Sequence, residues 1–304
     1  MLSVDNGIIM ALKQLIRPRW QIGIVENSLE GIVNGEELRV QWPSNPFHDR
    51  WFADPFVLSV NGNEVTLLVE DYRYKDDRGR ISRIIVDMER NSIVSCKTIL
   101  DGGHYSFPAI LRKEGRIFFY PEQSRQGKLE LFEYCPATET CKYVETLIDE
   151  PLTDAIIYKG VIYSTRLPNP NGKTLKMFKW PSAVQEFKHE TRNSALGSAA
   201  LGVVTEKELE TRNQKLDTFL FSECIARNAG DFFECGGNVY RPAQECNRWY
   251  GNALSIQLYE NGEFKEVRRI PRMHTLNSYQ GVTVVDRKIF PFTWVYWLQR
   301  KSDK

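Results

Sequence analysis

The stretch WFADPFVLSVNGNEVTLLVEDYR, residues 51–73, decides the fold. It contains two apolar runs separated by Asn-Gly-Asn, a pattern that predicts two β-strands joined by a tight turn. Acidic residues stand at the open end of this hairpin, opposite the turn. Asp54 lies near the start of the first strand, and Glu70 and Asp71 lie near the end of the second. Adjacent residues of a strand face opposite ways, so only one of Glu70 and Asp71 can point inward, and we prefer Glu70.

The rest of the chain repeats this hairpin four times. The five units begin near residues 54, 106, 154, 228 and 277, so their spacings are 52, 48, 74 and 49 residues. A period of about 50 residues is typical of four-stranded propeller blades, which bury their faces by packing radially. The repeat predicts an all-β fold, a five-bladed β-propeller with a central funnel. A β-sandwich or a barrel of ordinary hairpins is the alternative.

The repeat also suggests how the chain is organised. We expect one domain over residues 1–304, with an N-terminal helix and a closing strand within about 1–49. The five blades then cover about 50–100, 103–149, 150–217, 218–268 and 270–300. The long interval reflects 181–217, which reads as an insertion between blades three and four. Such an insertion lies on the surface, either as a lid over the funnel or without a role in it.

Charge and composition exclude several classes of protein. The 40 Lys and Arg nearly balance the 39 Asp and Glu, and a net charge of +1 gives no general basic field for nucleic acid. No apolar run is long enough for a transmembrane helix, and no signal peptide is recognisable, so a cytoplasmic location is expected. Phosphate-loop, dinucleotide-binding and metalloprotease motifs are absent from the sequence, so no cofactor is expected.

The six cysteines lack the paired spacing of metal sites, so no metal centre is expected. Cys135 and Cys141 flank a predicted turn and could lie opposite each other on a hairpin. They would then form a disulfide, or remain free thiols as is usual in the cytosol.

Three acids are the candidate catalytic residues. Asp54 precedes Pro55, which favours an extended backbone at that residue. Glu122 ends an apolar strand, and Asp154 begins the inner strand of blade three at the position of Asp54. Glycosyl transfer uses such a set, because one carboxyl protonates the leaving oxygen while another activates the attacking group. Each acid could instead cap a strand or form a salt bridge.

Basic, amide and aromatic residues at the strand ends are the candidate ligand contacts. Arg166, Arg227 and Arg241 could bind a phosphate or a uronic carboxylate bidentately, or could pair with the acids. The other candidate contacts near the same strand ends are Trp51, Glu70, His104, Tyr105, Asn228, Gln244 and His274.

Several short segments, taken in order, resemble a known family. They are WFADPFV (51–57), SFPAILRKEGRIFFYPEQS (106–124), TDAIIYKGVIYSTR (153–166), ARNAGDFF (226–233) and GNVYRPAQ (237–244). They are similar to the five-bladed propellers of the arabinanase, fructosidase and glycoside hydrolase family 43 type. The closer resemblance is to the N-terminal propeller domain of glucosamine inositolphosphorylceramide transferases and of related bacterial polysaccharide-locus proteins. It implies a carbohydrate or sugar-phosphate ligand and a possible partner enzyme of polysaccharide biosynthesis.

The resemblance implies roles for two of the acids. In family 43 hydrolases a first-blade Asp is the base and a third-blade Asp tunes pKa values, and Asp54 and Asp154 match these positions. The glutamate that opens blade four and acts as the acid is replaced here by Arg227-Asn228, so Glu122 or Glu70 would have to supply a proton. Two functions stay open: an enzyme acting on a glycosidic or glycosyl-phosphate bond, and a non-catalytic carbohydrate-binding propeller.

Overall fold

The computed structural model describes residues 18–180 and 215–290. Within these ranges the chain is built almost entirely of β-strands, with one short α-helix, α1 (Leu29–Val33), and a single 3₁₀ turn (Ser124–Gln126). In chain order the strands are β1 (Arg19–Val25), β2 (Val40–Gln41), β3 (Arg50–Asn61), β4 (Glu64–Arg73), β5 (Arg78–Asp87), β6 (Ser92–Leu100), β7 (Ser106–Lys113), β8 (Arg116–Glu122), β9 (Leu129–Cys135), β10 (Thr140–Ile148), β11 (Leu152–Tyr158), β12 (Val161–Arg166), β13 (Thr174–Lys179), β14 (Lys215–Leu220), β15 (Phe233–Cys235), β16 (Asn238–Glu245), β17 (Ala253–Glu260), β18 (Glu263–Pro271), β19 (Leu276–Tyr279) and β20 (Val282–Ile289).

These strands form five antiparallel four-stranded sheets arranged in a ring, which confirms the predicted five-bladed propeller. Blades one to four are consecutive along the chain: β3 to β6, β7 to β10, β11 to β14, and β15 to β18. The fifth blade has the order β19-β20-β1-β2 and therefore combines both ends of the described chain. No helix within residues 18–180 or 215–290 has the length and apolar composition needed to cross a membrane.

Strand β1 closes the ring as the sequence predicted. It pairs antiparallel with β20 from Arg19 opposite Ile289 to Val25 opposite Thr283. The expected N-terminal helix and most of the expected insertion, 181–214, lie outside the described residues, and 215–217 belong to β14. All six cysteines are free, so Cys135 and Cys141 form no disulfide.

The inner strands of the first three blades share a bulge at their start. A register shift follows Ala53 in blade one, Ser106 in blade two and Thr153 in blade three. The next residue in each case has a left-handed backbone: φ is 50° at Asp54, 44° at Phe107 and 46° at Asp154. The expectation of an extended Asp54 was therefore wrong, because the bulge overrides the preference set by the following proline.

Packing between neighbouring blades supplies the core. Phe56 of blade one meets Phe107 of blade two edge to face, with ring centroids 5.0 Å apart, and both side chains are fully buried. Burying such a ring contributes roughly 1.5–3 kcal/mol. A continuous apolar cluster runs from these two residues through blade two to Ile156 of blade three. This packing holds the inner strands at fixed positions around the axis, so side chains at their starts face one space.

Candidate functional site

A cavity of about 520 Å³ lies at the end of the ring where the inner strands begin. Side chains from every blade line it, together with the loop that follows β12. Of the residues predicted from sequence, the lining includes Trp51, Asp54, Glu70, His104, Glu122, Arg227 and His274. The remaining lining residues are Trp20, Ala53, Tyr72, Ser106, Ser124, Arg125, Thr153, Leu167, Pro170, Asn171 and Tyr250.

Glu70 and Asp71 face opposite ways, as strand alternation requires. Glu70 lines the cavity, and it can do so because Gly79 has no side chain: a Cβ there would lie 2.2 Å from Glu70 Oε1. Asp71 is fully buried inside blade one, where its Oδ2 accepts hydrogen bonds from Arg80 Nε at 3.0 Å and Ser82 Oγ at 2.8 Å. Arg50 Nη1 adds a third donor at 3.2 Å. Asp71 is therefore structural.

An arginine joins the acids of blades two and three. Arg227 Nε donates to Asp154 Oδ2 at 2.6 Å, and its Nη2 donates to Glu122 Oε2 at 3.2 Å. Ser124 Oγ donates to the other oxygen of Glu122 at 2.7 Å. Gln244 Nε2 donates to Asp154 Oδ2 at 2.6 Å, from beneath the cavity. All the donors that surround Asp154 stabilise its ionised form.

The two carboxyls of this cluster titrate in opposite directions. Burial, followed by the charge of Asp154, raises the pKa of Glu122 to about 8, although Arg227 opposes the shift. Burial alone would also raise the pKa of Asp154, but the charge of Arg227 and hydrogen bonds from Glu122 and Arg227 hold it below its usual value. These opposite shifts favour a protonated Glu122 beside an ionised Asp154 at neutral pH.

Asp54 lines the cavity and belongs to a second hydrogen-bonded group of residues. Its backbone N–H donates to Asp286 Oδ2 at 2.9 Å, and its own Oδ2 accepts from the Phe107 N–H at 3.1 Å. Its Oδ1 is buried without a hydrogen bond from the described residues, 3.4 Å from His274 Nδ1. Burial, followed by the charges of Asp286 and Glu70, raises the pKa of Asp54 well above its usual value.

Asp286 and His274 support Asp54 from below. Asp286 accepts from His274 Nδ1 at 3.2 Å, and from the N–H and Oγ1 of Thr275 at 2.9 and 2.7 Å. Burial would raise the pKa of Asp286, but the charge of His274 and these hydrogen bonds lower it. His274 Nε2 lies 2.9 Å from the hydroxyl of Tyr250, which lines the cavity. The nitrogen and oxygen donors of Asp54, His274 and Asp286 lie within 4.8 Å of one another, which is also compatible with a metal ion.

Aromatic rings and a neutral histidine form the rim. Trp51 and Tyr72 stack in parallel with ring centroids 4.5 Å apart, offering a flat apolar surface of the kind that suits the face of a sugar ring. His104 Nδ1 accepts from the Gly79 N–H at 3.0 Å, so its proton is on Nε2. Burial, assisted by Arg125, lowers the pKa of His104 to about 4 and keeps it neutral.

Several predicted contacts lie elsewhere. Arg241 is fully buried under blade four, where it donates to Asn228 Oδ1 at 2.8 Å and Gln257 Oε1 at 2.7 Å, so the expectation that it contacts ligand was wrong. Asn228 is also fully buried and donates to the Asp154 carbonyl at 2.7 Å. Arg166 lies outside the cavity lining and pairs with Glu150 at 2.6 Å.

Tyr105 also lies outside the lining and hydrogen-bonds Gly79 through its backbone. Its side chain is not among those that reach the cavity.

The residues of the site that the sequence analysis missed include Trp20, Tyr72, Arg125 and Asp286. Asp286 had a recognisable signal, because it ends the apolar run of β20 just as Glu122 ends that of β8. Trp20 had none, since it comes from the closing strand and packs on His274 with ring centroids 4.3 Å apart.

Sequence comparison identifies the family. The profile described as "Glucosamine inositolphosphorylceramide transferase 1, N-terminal" matches residues 40–286, which is most of the chain. The chain belongs to this family. Its relatives include glucosamine inositolphosphorylceramide transferase 1 of Oryza sativa subsp. indica, 24% identical over 271 residues, covering 80% of this chain and 32% of the rice protein. The protein of the same name from Arabidopsis thaliana is 23% identical over 194 residues, covering 59% of this chain and 22% of that protein.

The chain spans about a third of the length of the rice relative and less of the Arabidopsis one. Among solved structures, it is similar to an exo-β-1,3-galactanase from Phanerochaete chrysosporium, with a TM-score of 0.49 and 8% identity over 86% of this chain and 59% of that one. A family 117 glycoside hydrolase from Zobellia galactanivorans gives a TM-score of 0.47 at 8% identity, covering 92% of both chains.

Proposed function

We propose that this cavity binds a carbohydrate and transfers a glycosyl group from a glycosidic bond to water or to another hydroxyl. One observation carries the proposal: Glu122, a buried carboxyl whose pKa burial raises to about 8, faces the same cavity as Asp54. Glycosyl transfer needs such a pair, one carboxyl to give a proton and one to accept it.

Glu122 is the proposed general acid. As the glycosidic C–O bond breaks, its proton passes to the leaving oxygen. The carboxylate that remains is stabilised by Arg227 Nη2 at 3.2 Å and by Ser124 Oγ at 2.7 Å. Asp154 tunes this step, because its negative charge is one cause of the raised pKa of Glu122.

Asp54 is the proposed general base. It accepts the proton of the attacking hydroxyl while the new C–O bond forms, so one proton enters the pair and one leaves it. Asp54 acts as a base only in its ionised form, and in that form its raised pKa makes it a stronger base than an ordinary carboxylate. The Phe107 N–H and the bulge at Asp54 fix the direction of its carboxyl group.

The leaving group is better matched to a glycoside than to a glycosyl phosphate. A sugar alkoxide needs a proton to leave, whereas a phosphate does not, and the cavity holds a protonated acid. Arg227 was expected to bind an anion, but Asp154 and Glu122 already occupy its donors. The proposed ligands therefore carry a neutral sugar at the bond that breaks. This sugar would stack on Trp51 and Tyr72 and would accept a hydrogen bond from His104 Nε2.

The relatives suggest where to look for the substrate. Because they are named as glucosamine inositolphosphorylceramide transferases, glycosides that contain glucosamine or inositol are the first to test. Since the matched region is 32% of the rice relative and 22% of the Arabidopsis one, we also propose that a partner enzyme of polysaccharide biosynthesis works with this propeller.

A second candidate function is carbohydrate binding without catalysis. The observation that favours it is Arg227, which stands where family 43 hydrolases have their catalytic glutamate and forms an ion pair with Asp154. In that case the same aromatic rim and acids recognise a sugar for the partner enzyme.

The test uses one panel of glycosides and two substitutions. Binding is measured by calorimetry, and cleavage and transfer by mass spectrometry in H₂¹⁸O, which marks hydrolysis products. We expect Glu122→Gln to lower turnover by about 10²–10⁴-fold while binding persists. The matched control is Glu133→Gln, the same change on an outer strand, where Glu133 pairs with Arg116.

The outcomes separate the two functions. Equal turnover by the wild-type protein and Glu122→Gln would disprove the role of Glu122. Saturable binding of a glycoside with no bond cleavage or transfer in any condition would establish the binding function instead.

A further inference from the structure

A second cavity, of about 200 Å³, lies at the opposite end of the propeller axis. The inner strands run from the first cavity to this one: β3 places Asp54 in the first and Val57 in the second, and β7 places Ser106 in the first and Ile110 in the second. All five blades contribute to the lining. The inner strands of blades one, two, three and five line the space, and blade four contributes Asp231 and Phe232, which directly precede its inner strand.

Two opposite charges face this second cavity without forming an ion pair. The carboxyl group of Asp231 makes no hydrogen bond or ion pair within residues 18–180 and 215–290, although its side chain is only partly exposed. Arg112 uses Nη2 to donate to the carbonyls of Val57 at 2.7 Å and Leu58 at 3.0 Å. Its Nε and Nη1 have no acceptor in the described part of the chain. Partly buried polar groups without a hydrogen-bond partner are uncommon in proteins. Their presence on two sides of one cavity favours a ligand between them.

Aromatic rings complete the second cavity. The guanidinium carbon of Arg112 lies 3.6 Å from the centroid of the Tyr279 ring, which fixes the plane of the guanidinium. Tyr158 and Phe232 stack with centroids 4.6 Å apart on another side. A volume near 200 Å³ is smaller than that of sites for drug-sized ligands, and a ligand that fills it would be about the size of an amino acid.

We propose that this second cavity binds a small zwitterion of the amino-acid type. The ligand carboxylate would accept hydrogen bonds from Arg112 Nε and Nη1, and its ammonium group would donate to the Asp231 carboxylate. A ligand with both charges satisfies both side chains, whereas a ligand with one charge leaves the other side chain unpaired. This site is separate from the proposed glycosyl-transfer site and does not depend on it.

The titration of Asp231 agrees with this arrangement. Burial raises the pKa of Asp231 to about 7, with Arg112 opposing the shift. An ammonium group held beside Asp231 would lower that pKa again, so binding near pH 7 releases a proton. Within residues 18–180 and 215–290, the titratable groups that interact electrostatically with Asp231 are Arg112 and Tyr120.

The test is isothermal titration calorimetry of the whole protein with each of the twenty standard amino acids at about 10 mM. Repeating it in buffers of different ionisation enthalpy measures the proton released. We expect at least one amino acid to bind with proton release, and Asp231→Asn to weaken that binding by at least about tenfold. Asp101→Asn is the matched control, because Asp101 is exposed near blade two and pairs with Arg78.

Three results would overturn the proposal. They are no binding by any amino acid, equal binding by Asp231→Asn, and binding of acetate or methylammonium alone as tight as that of the amino acid. If Asp231→Asn does not fold, a crystal of the wild-type protein soaked with the same amino acids decides. Density between Asp231 and Arg112 supports the site, and density elsewhere or none refutes it.

Discussion

Arg227 Nε lies 2.6 Å from Asp154 Oδ2, and both side chains are buried. The cation changes the role of its neighbours. Burial would lower the pKa of Arg227, but the Asp154 carboxylate reverses this and raises it well above the usual value. The pair is therefore charged throughout the physiological range, and Glu122, not Asp154, holds the mobile proton.

Removing Arg227 should destabilise the fold. Arg227→Gln leaves the buried Asp154 carboxylate without its ion pair, and breaking such a pair costs about 3–5 kcal/mol. The free energy of unfolding, measured by urea denaturation, should fall by this amount. Arg116→Gln is the control: Arg116 pairs with Glu133 at the surface, so a change below about 1 kcal/mol is expected. Equal losses in the two variants would contradict the structural role of Arg227.

The proton on Glu122 makes stability depend on pH. In the unfolded chain Glu122 releases its proton near pH 4.5, whereas in the folded protein it keeps the proton to about pH 8. Between these values the folded state binds more protons, so the contribution of this group to stability falls as pH rises, by at most about 1.4 kcal/mol per unit. Glu122→Gln lacks this term, so its stability relative to wild type should rise from pH 4.5 to pH 8.

The pH dependence of turnover should also reflect the titration of Glu122. If Glu122 is the general acid, turnover falls as pH rises through about 8, and this limb is absent from the residual activity of Glu122→Gln. Thermal unfolding and initial rates recorded over pH 4–9 give both profiles. A stability difference that stays constant over this range would show that Glu122 is not protonated in the folded state.

The stacked pair at the rim should contribute to ligand binding. Trp51→Ala removes one ring of the Trp51–Tyr72 platform, and loss of an aromatic contact costs about 1 kcal/mol, or roughly fivefold in Kd. Titration calorimetry with the best glycoside of the panel measures the effect. Tyr143→Ala, a large exposed ring on an outer strand, is the control and should leave Kd unchanged. An unchanged Kd in Trp51→Ala would remove the platform from the site.

Substitution of Asp71 and substitution of its neighbour Glu70 should have different effects on stability. Asp71→Asn removes the buried carboxylate shared by Arg50 and Arg80, which keep only the more exposed acids Asp49, Asp76 and Asp101 as charged partners. It should lower the free energy of unfolding by up to about 3–5 kcal/mol. Glu70→Gln should not, because burial and the charge of Glu122 raise the pKa of Glu70 and favour its neutral form. Denaturation curves and ligand titration of both variants test this. Loss of stability in Glu70→Gln as large as in Asp71→Asn would contradict it.

Much of the fold could be predicted from sequence, because the signals are local. Alternating apolar residues and turn signals recur every 50 residues or so, and the strand at 20–25 has no hairpin partner of its own. Alternation also separated Glu70 from Asp71. The starts of the inner strands were predicted to within a few residues, although the one in blade four begins at Phe233, later than the repeat near 228. Asp54, Glu122 and Arg227 were therefore expected near the same space.

The rest required three-dimensional information. A strand-end arginine can point to the axis, as Arg227 does, or into its own blade, as Arg241 does, and no periodicity distinguishes these directions. The register shift beside Asp54 could not be predicted from sequence either. A bulge adds one residue to a strand without changing the residue types around it.

The fifth blade joins β1, near the beginning of the described chain, to β20, near its end. His274 and Asp286, which support Asp54, come from this last blade. During synthesis the early blades therefore leave the ribosome with an open ring and an incomplete pocket. The pocket can be complete only after translation has passed Asp286, so a chain truncated before that point should lack the proposed carbohydrate binding even where its first four blades fold.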